Sequence, residues 1–142
     1  MSKRREGRET AVQLLFSRDF VPSTGSHDID AFFELHSAKP DIRRHAEEVY
    51  QGVVSHQEAI DRRLVAALEN FSLERLAGVD RNILRVAIYE MFHCPAVPPI
   101  VAINEAIEIS KRFGTPDSSR FVNGVLDRLK GDLTRPLREA GS

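Results

Sequence analysis

Three arginines near the amino terminus are the residues of this sequence best suited to bind an anion. Arg4 and Arg8 are four residues apart and Arg5 and Arg8 are three apart, so a helix would place all three along one edge. A guanidinium offers phosphate oxygens a planar fork of donors and also stacks on exposed bases, which suits single-stranded RNA. The alternative is a solvated helix end in which Glu6 and Glu9 pair with the arginines.

A second polar segment is predicted where the last long helix begins. The unpaired N–H groups and positive dipole of that helix end favour an anion, and Ser118 and Arg120 add donors. Asp117 would repel phosphate, so its expected role is either to cap the helix or to accept hydrogen bonds from base edges. Phe113 and Phe121 flank the turn and could stack on bases or belong to the core.

The remaining polar residues form no recognisable catalytic or metal-binding motif. No two of the five histidines are four residues apart, and His93-Cys94 has no further cysteine to join it. Neighbouring carboxylates such as Glu47 and Glu48 are typical of a solvated helix face. Phosphate-binding glycine loops and the nucleophile-elbow motif are absent from the sequence. We therefore expect a binding protein with no catalytic residues, metal or cofactor.

Length and composition indicate one helical domain in a reducing compartment. The 142 residues are 42% hydrophobic and 29% charged, which fits one globular domain with its own core. Cys94 is the single cysteine and no leader peptide opens the chain, so a cytoplasmic location is expected. No apolar run approaches the ~18 residues of a membrane span.

Charge is distributed unevenly along the chain, although the net charge is only −1. Residues 1–10, which include Lys3, carry four basic and two acidic residues, and residues 111–142 carry seven basic and four acidic residues. Residues 11–110 are left with nine basic and fifteen acidic residues. This pattern favours a nucleic-acid surface formed by the two ends and an acidic middle that faces a basic protein, although chance fluctuation remains an alternative.

The elements that must position these residues are helices, because apolar residues recur every three or four positions and alternating strand patterns are absent. We predict about seven helices and one short helical turn. The first helix is Lys3–Phe20, stopped by the run from Pro22 to Ser26, and the second is capped by Asp28 and ends before Lys39. A pair of helices follows from Asp41 to Glu69, with a break between Gly52 and Ser55, and then a turn at Ser72–Arg75. The last three helices are Val79–His93, Pro99–Phe113 with Gly114 as its cap, and one that is opened by Thr115–Ser118.

The segment Val79–His93 is apolar on more than one face, which predicts a central helix between two groups of neighbours. We predict one domain with an amino-terminal group (1–78), a carboxy-terminal group (79–134) and a polar tail (135–142). The apolar positions of the other helices predict their buried faces. These positions include Ala11, Leu15, Phe16, Ile29, Phe33, Leu35, Ile42, Ala46, Val49, Val53, Ile60, Leu64, Val101, Ile103, Ala106, Val122, Val125, Leu126 and Leu129.

Several ordered blocks of the sequence resemble the NusB family of bacterial transcription antitermination factors. The blocks are Arg4–Phe16, Asn82–Glu90, Val101–Lys111, Phe113-Gly114 and Ser119–Asp127. The likeness covers nearly the whole chain, with residues 21–75 matching mainly in length and helical pattern. Glu6 interrupts what is often a denser arginine run, and Phe16 stands where the family often has tyrosine. Gly124 is expected to let helices approach closely.

The resemblance implies a NusB-like, all-α fold of two small helical bundles and a role as an RNA-binding adaptor without catalysis. In that family the protein pairs with NusE, and the pair holds the single-stranded boxA element of nascent ribosomal RNA near RNA polymerase. The RNA-contacting residues implied by the motifs, with Lys3 and Arg120 added for their charge, are Lys3, Arg4, Arg5, Arg8, Phe113, Asp117, Ser118, Arg120 and Phe121. Asp80 and Glu90 are expected on the side that faces NusE.

Two other functions remain open at this stage. NusB-like domains also precede the catalytic domain of ribosomal RNA cytosine methyltransferases, but no such domain follows Ser142. A protein-only assembly factor would instead hide the arginine edge in a homodimer. Whether the protein is a monomer or a homodimer before it meets its partners does not follow from the sequence.

Overall fold

The computed structural model describes residues 2–20, 26–36 and 38–140, and within these ranges all regular structure is helical. The predicted all-α fold with seven helices is confirmed. The helices are α1 (Lys3–Phe20), α2 (Ser26–Leu35), α3 (Pro40–Ser55), α4 (Gln57–Ala67), α5 (Gly78–His93), α6 (Pro99–Phe113) and α7 (Ser118–Leu129), with single 3₁₀ turns at Leu73–Arg75 and Lys130–Asp132.

Prolines and one glycine set several helix ends. Pro40 and Pro99 occupy the first turns of α3 and α6, where a missing N–H costs no helical hydrogen bond. Gly114 follows α6 as predicted, but its φ is −92°, so it is not a left-handed cap. A Cβ at Gly114 would lie 2.4 Å from Ser118 Oγ, which is why glycine is needed there. The predicted stop at 22–25 and the Asp28 side chain lie outside the described residues.

Helix α5 is the centre of the molecule, as its apolar circumference predicts. It packs against α1, α3, α4, α6 and α7, and both of its faces are buried. The buried residues of both helical groups belong to one continuous hydrophobic core. The division of the chain at residue 78 therefore stays a prediction.

Most of the predicted core positions are buried, but three are not. Leu35 is 84% exposed, Val101 is 39% exposed and Phe16 is only partly buried. Phe16 and Leu35 line an open apolar groove of about 530 Å³ between α1 and α2. The helical period correctly identified the apolar face of each helix. It could not show that, at Phe16 and Leu35, none of the described residues covers that face.

Arg85, a buried arginine on α5, links this helix to α4 and to the end of α1. Arg85 donates to Asp61 on α4 at 2.9 and 3.1 Å and to Asp19 on α1 at 3.2 Å. Arg81 and Asn82 also donate to Asp19, both at 2.8 Å. Burial acts to raise the pKa of Asp19, but these hydrogen bonds and the arginine charges hold it below its ordinary value.

The carboxy-terminal segment, predicted as a polar tail from residue 135, is joined to the end of α5. Arg135 donates to the backbone carbonyls of Glu90, Met91 and Cys94 at 2.9 to 3.2 Å and to that of Pro95 at 3.1 Å. The last carbonyls of a helix have no partner within it, so Arg135 supplies one.

Candidate nucleic-acid interface

The start of α1 presents three cations at the surface. Arg4 is exposed and makes no hydrogen bond or ion pair with any residue in the described ranges. Lys3 pairs with Asp41 on α3 at 2.7 Å, and Arg5 donates through Nε to Glu105 on α6 at 3.0 Å. The Lys3 pair is exposed and therefore weak in water, whereas the Arg5 pair is partly buried on the Glu105 side. A polyanion can compete most easily for Lys3 and Arg4.

Arg8 and Glu90, by contrast, lie inside the protein and bind each other. Arg8 is 3% exposed and Glu90 2%, and Arg8 Nε donates to both Glu90 oxygens at 2.8 and 3.1 Å. The expectation that Arg8 shares an exposed edge with Arg4 and Arg5 is therefore wrong, and so is a surface position for Glu90. The physical reason is that a buried guanidinium needs a buried carboxylate.

The sequence did contain a signal for the burial of Arg8. Arg8, Val12 and Leu15 are spaced four and three residues apart, so Arg8 continues the buried apolar stripe of α1. Glu90 stands in the same relation to Ile83 and Ala87 on α5. A charged residue on an apolar stripe predicts a buried partner of opposite charge.

Glu105 joins the buried and the exposed arginines. Its Oε2 accepts from Arg5, and its Oε1 accepts from Arg8 Nη1 at 3.3 Å. Nothing in the sequence around Glu105 indicated that it pairs with two arginines from another helix. Its carboxylate fixes the position of Arg5 relative to the core.

The second predicted segment, at the start of α7, is partly exposed. Asp117 occupies the N-cap position but its side chain makes no capping hydrogen bond, so the capping alternative gains no support. Arg120 is exposed, and Phe121 is half-buried with its ring edge-on to Phe71 at 6.0 Å between centroids. Ser118 is not an available donor as predicted, because it is buried and its Oγ accepts from the Thr115 N–H at 2.9 Å.

A small cleft of about 220 Å³ adjoins this segment, lined by Asp117, Phe121, Phe71 and Asp80 among others. Asp80 was expected on the partner side, and its Oδ1 is buried with no hydrogen-bond partner among the described residues. Phe71, which is 53% exposed, was missed by the sequence reasoning. An aromatic residue in the polar loop between α4 and α5 was the available signal.

Arg5 of the first segment and Phe113 of the second both lie at the contact between α1 and α6, which we term the α1–α6 seam. Asp117 and Phe121 follow at the start of α7 and line the cleft that contains Phe71. Arg5 meets Glu105 at one end, and Glu9 accepts from Arg112 Nη1 at 3.0 and 3.2 Å further along. Phe113 follows Arg112 at the end of α6. Eight helical residues separate Glu105 from Phe113, or about 12 Å. The seam therefore links the cations of α1 to the aromatic segment before α7.

Metal-binding clusters and membrane-spanning helices are both absent from the described ranges. These ranges contain no group of three or more histidine, cysteine, aspartate or glutamate side chains placed to hold a metal ion. No helix there is long and apolar enough to cross a bilayer.

Known proteins resemble this chain over nearly its full length. The NusB family profile matches residues 5–130. The transcription antitermination protein NusB of Desulfosudis oleivorans is 44% identical over 137 residues, which cover 94% of this chain and 88% of that protein. The protein of the same name from Geotalea daltonii is 42% identical over 141 residues, covering 94% of this chain and 97% of the relative.

Solved structures agree with the sequence relatives. NusB of T. maritima superposes with a TM-score of 0.80 at 34% identity, covering 95% of this chain and 94% of the other. The NusB chain in a crystal structure of antitermination factors NusB and NusE in complex with dsRNA superposes with a TM-score of 0.82 at 26% identity, covering 93% and 98%.

Proposed function

This chain belongs to the NusB family of transcription antitermination proteins, and from that premise we propose that it binds a boxA-type single-stranded element of nascent ribosomal RNA together with NusE. In this role it joins the RNA polymerase antitermination complex in the cytoplasm and supports processive ribosomal RNA transcription. The observation that carries the proposal is the α1–α6 seam, with the cations of α1 at one end and, at the other, the half-buried Phe113 next to the exposed Asp117.

Each end of the seam suits a different part of an RNA strand. Lys3, Arg4 and Arg5 are placed to meet phosphates, which supply most of the affinity for nucleic acid. Phe113 and Phe121 offer ring faces to bases, and the Asp117 carboxylate is available to accept from base amino groups. Buried Arg8 and Ser118 support the site by holding Glu105 and the turn before α7.

NusE is the proposed protein partner. One of the similar structures contains NusB, NusE and RNA together. The excess of acidic residues in 11–110 favours a basic protein, and Asp80 supplies an unsatisfied acceptor near the RNA segment. Because Asp80 and Asp117 line the same small cleft, partner and RNA would meet there.

Fluorescence anisotropy tests the proposal with a labelled boxA-type RNA and a scrambled RNA, at two salt concentrations, with and without NusE. We expect weak binding by the chain alone and tighter, sequence-dependent binding with NusE. Arg4→Gln should weaken binding and lower the salt slope by about one unit, because one phosphate contact is lost. Arg62→Gln is the matched control, since Arg62 is exposed on α4 and away from the seam. Equal binding to both RNAs in all conditions would refute the proposal.

A second candidate is a protein-only assembly factor that self-associates. The apolar groove between α1 and α2 favours it, because Phe20 beside the groove is 72% exposed and Leu35 within it is 84% exposed. Size-exclusion chromatography with and without NusE separates the two functions. A homodimer that persists with NusE and never binds RNA would support the second.

A further inference from the structure

A polar cleft of about 450 Å³ opens on the α1–α6 seam between the two candidate RNA segments. It lies between α1, the start of α3 and the end of α6. The side chains that define its chemistry are Glu6, Glu9, Gln13, Lys39, Arg112 and Phe113. A strand that ran from the cations of α1 to the aromatic segment before α7 would pass over this cleft.

One wall of the cleft carries the Glu9 carboxylate next to two flat groups, the Arg112 guanidinium and the Phe113 ring. The Glu9 side chain is only 8% exposed, and Arg112 Nη1 donates to its two oxygens at 3.0 and 3.2 Å. The same Arg112 guanidinium lies 5.2 Å from the centroid of the Phe113 ring. Guanidinium planes and aromatic rings are the surfaces on which proteins stack unpaired bases, and a carboxylate accepts from base amino groups.

The charge of the cleft selects a neutral occupant. Its two carboxylates, Glu6 and Glu9, are balanced by Lys39 and Arg112. A phosphate inside would lie against carboxylates and be repelled, whereas a planar group with N–H donors would satisfy them. Lys39 is exposed, so it can meet the phosphate that follows such a group along the strand.

We propose that this cleft binds one unstacked nucleobase that carries an exocyclic amino group, that is adenine, cytosine or guanine rather than uracil. Glu9 accepts from the amino group, and Arg112 with Phe113 provides the stacking surface. The proposal rests on the proposed RNA-binding function and adds a position at which the RNA base is read.

The first experiment leaves the protein unchanged. In the complex with NusE, each base of a boxA-type RNA is replaced in turn, amino-bearing bases by uracil and uracil by cytosine, and binding is measured by anisotropy. Besides any position that Asp117 reads in the same way, we expect one position at which uracil in place of an amino-bearing base weakens binding by roughly tenfold, as for one base-edge contact. If uracil is tolerated at every position, the cleft proposal is wrong even when specific RNA binding is intact.

The second experiment links that position to the cleft. Glu9→Gln offers N–H donors to the carbonyl oxygen of uracil, so the roughly tenfold preference should largely disappear at that position and at no other. Burial raises the pKa of Glu9 although Arg112 opposes the shift, so the charged form is costly in the folded protein and the neutral amide should fold. Thermal unfolding checks this, and Glu58→Gln on the exposed side of α4 is the matched control.

The outcomes are distinguishable. Loss of all sequence-dependent RNA binding by the unaltered protein refutes the proposed function itself. Specific binding with the same base preferences in Glu9→Gln refutes only the nucleobase cleft. Weaker NusE binding by Glu9→Gln in the absence of RNA would show that the cleft receives a protein side chain, and that also overturns the proposal.

Discussion

Arg8 and Glu90 show how a single residue type can mislead when only its spacing is known. Arg8 is three residues from Arg5 and four from Arg4, so its spacing suggests a shared basic edge. Its guanidinium instead pairs with the carboxylate of Glu90 on the central helix α5. Arg4 and Arg5 lie about one helical turn before Arg8, and Glu105 accepts from both Arg5 and Arg8. The proposed RNA-contacting edge therefore consists of Lys3, Arg4 and Arg5.

Removing one member of the buried pair should be severe. Glu90→Ala leaves the Arg8 charge buried without its main partner, so we expect a loss of about 3–5 kcal/mol in the free energy of unfolding, measured by urea denaturation. The exposed pair gives the comparison, since Lys3→Ala breaks an ion pair that lies in solvent and should cost far less than Glu90→Ala. A double change to methionine at both buried positions should recover much of the loss, and an equally unstable double variant would contradict the desolvation argument.

In the proposed interface, Glu105 would compete with RNA for Arg5. Glu105→Gln keeps the size and the hydrogen-bonding oxygen but removes the charge, so Arg5 should become more available to phosphate. We expect severalfold tighter binding of boxA-type RNA in anisotropy with a steeper salt dependence. Weaker binding would instead mean that Glu105 is needed to hold Arg5 in place.

His45 should make the protein less stable in mild acid. Burial, and then the charges of Arg8 and Arg4, lower the pKa of His45, and its Nε2 is buried with no hydrogen-bond partner in the described part of the chain. The unfolded chain keeps the ordinary pKa of about 6.5 and takes up the proton first, so stability is present above pH ~6.5 and is lost as pH falls below it.

The measurement is the free energy of unfolding between pH 7.5 and pH 5.5 by urea denaturation. His45→Gln cannot titrate, so we expect it to lose less stability over this range than the unaltered protein does. An equal loss in both proteins would show that His45 is not the group responsible.

At the scale of the elements, two glycines have opposite roles. A Cβ at Gly52 in α3 would lie 2.2 Å from Tyr89 Cζ on α5, whereas a Cβ at Gly124 in α7 would meet only Arg128 Nη1, at 3.9 Å. The close helix approach predicted at Gly124 is therefore wrong, and Gly52 supplies one instead. The sequence does not distinguish the two, because both are glycines within helices.

Substitution by alanine should separate them. Gly52→Ala forces the Tyr89 ring to move and should destabilise the protein by about 1–3 kcal/mol, as other overpacked sites do. Gly124→Ala should stabilise it by up to about 1 kcal/mol, since alanine is the better helix former. Thermal unfolding of both variants is the measurement, and a stabilised Gly52→Ala would contradict the packing shown here.

The elements themselves were largely predictable. The bounds of α1 match the prediction, and α3 to α7 begin or end at prolines, glycines or polar loops that the sequence displays. Local propensity and helical period suffice for this, because each helix buries an apolar stripe. The sequence does not show which apolar stripe is left uncovered by the described residues. Phe16 and Leu35 were therefore wrongly placed in the core.

For the molecule as a whole, the candidate site depends on contacts that the sequence does not encode locally. The blocks that resemble the family include both proposed RNA segments. The contact that links α1 to the end of α6, between Glu9 and Arg112, joins residues 103 positions apart in the sequence. Phe71, in the loop before α5, reaches Phe121 in the same way. Such pairings follow from the packing of α1, α6 and α7 around α5 and have no periodic signature.

The carboxy-terminal segment contributes to the stability of the whole molecule. Arg135→Ala would leave carbonyls at the end of α5 without their donor, so we expect a loss of about 1–3 kcal/mol in the free energy of unfolding. Arg138→Ala, three residues away and exposed, should have no measurable effect. If the two variants unfold at the same temperature as the unaltered protein, the carbonyl contacts of Arg135 do not stabilise it.

The contacts of Arg135 also decide where a reporter group can be placed. Residues 94 and 95 accept from Arg135, and the loop that follows them lines a surface shared with Lys3 and Arg4. Lys3 near one end of the described chain and Arg135 near the other thus both approach the proposed RNA entrance, by which we mean the surface around Lys3, Arg4 and Arg5. A fluorophore or affinity handle attached to either end would crowd that entrance, whereas one attached to the exposed face of α4 would leave it open.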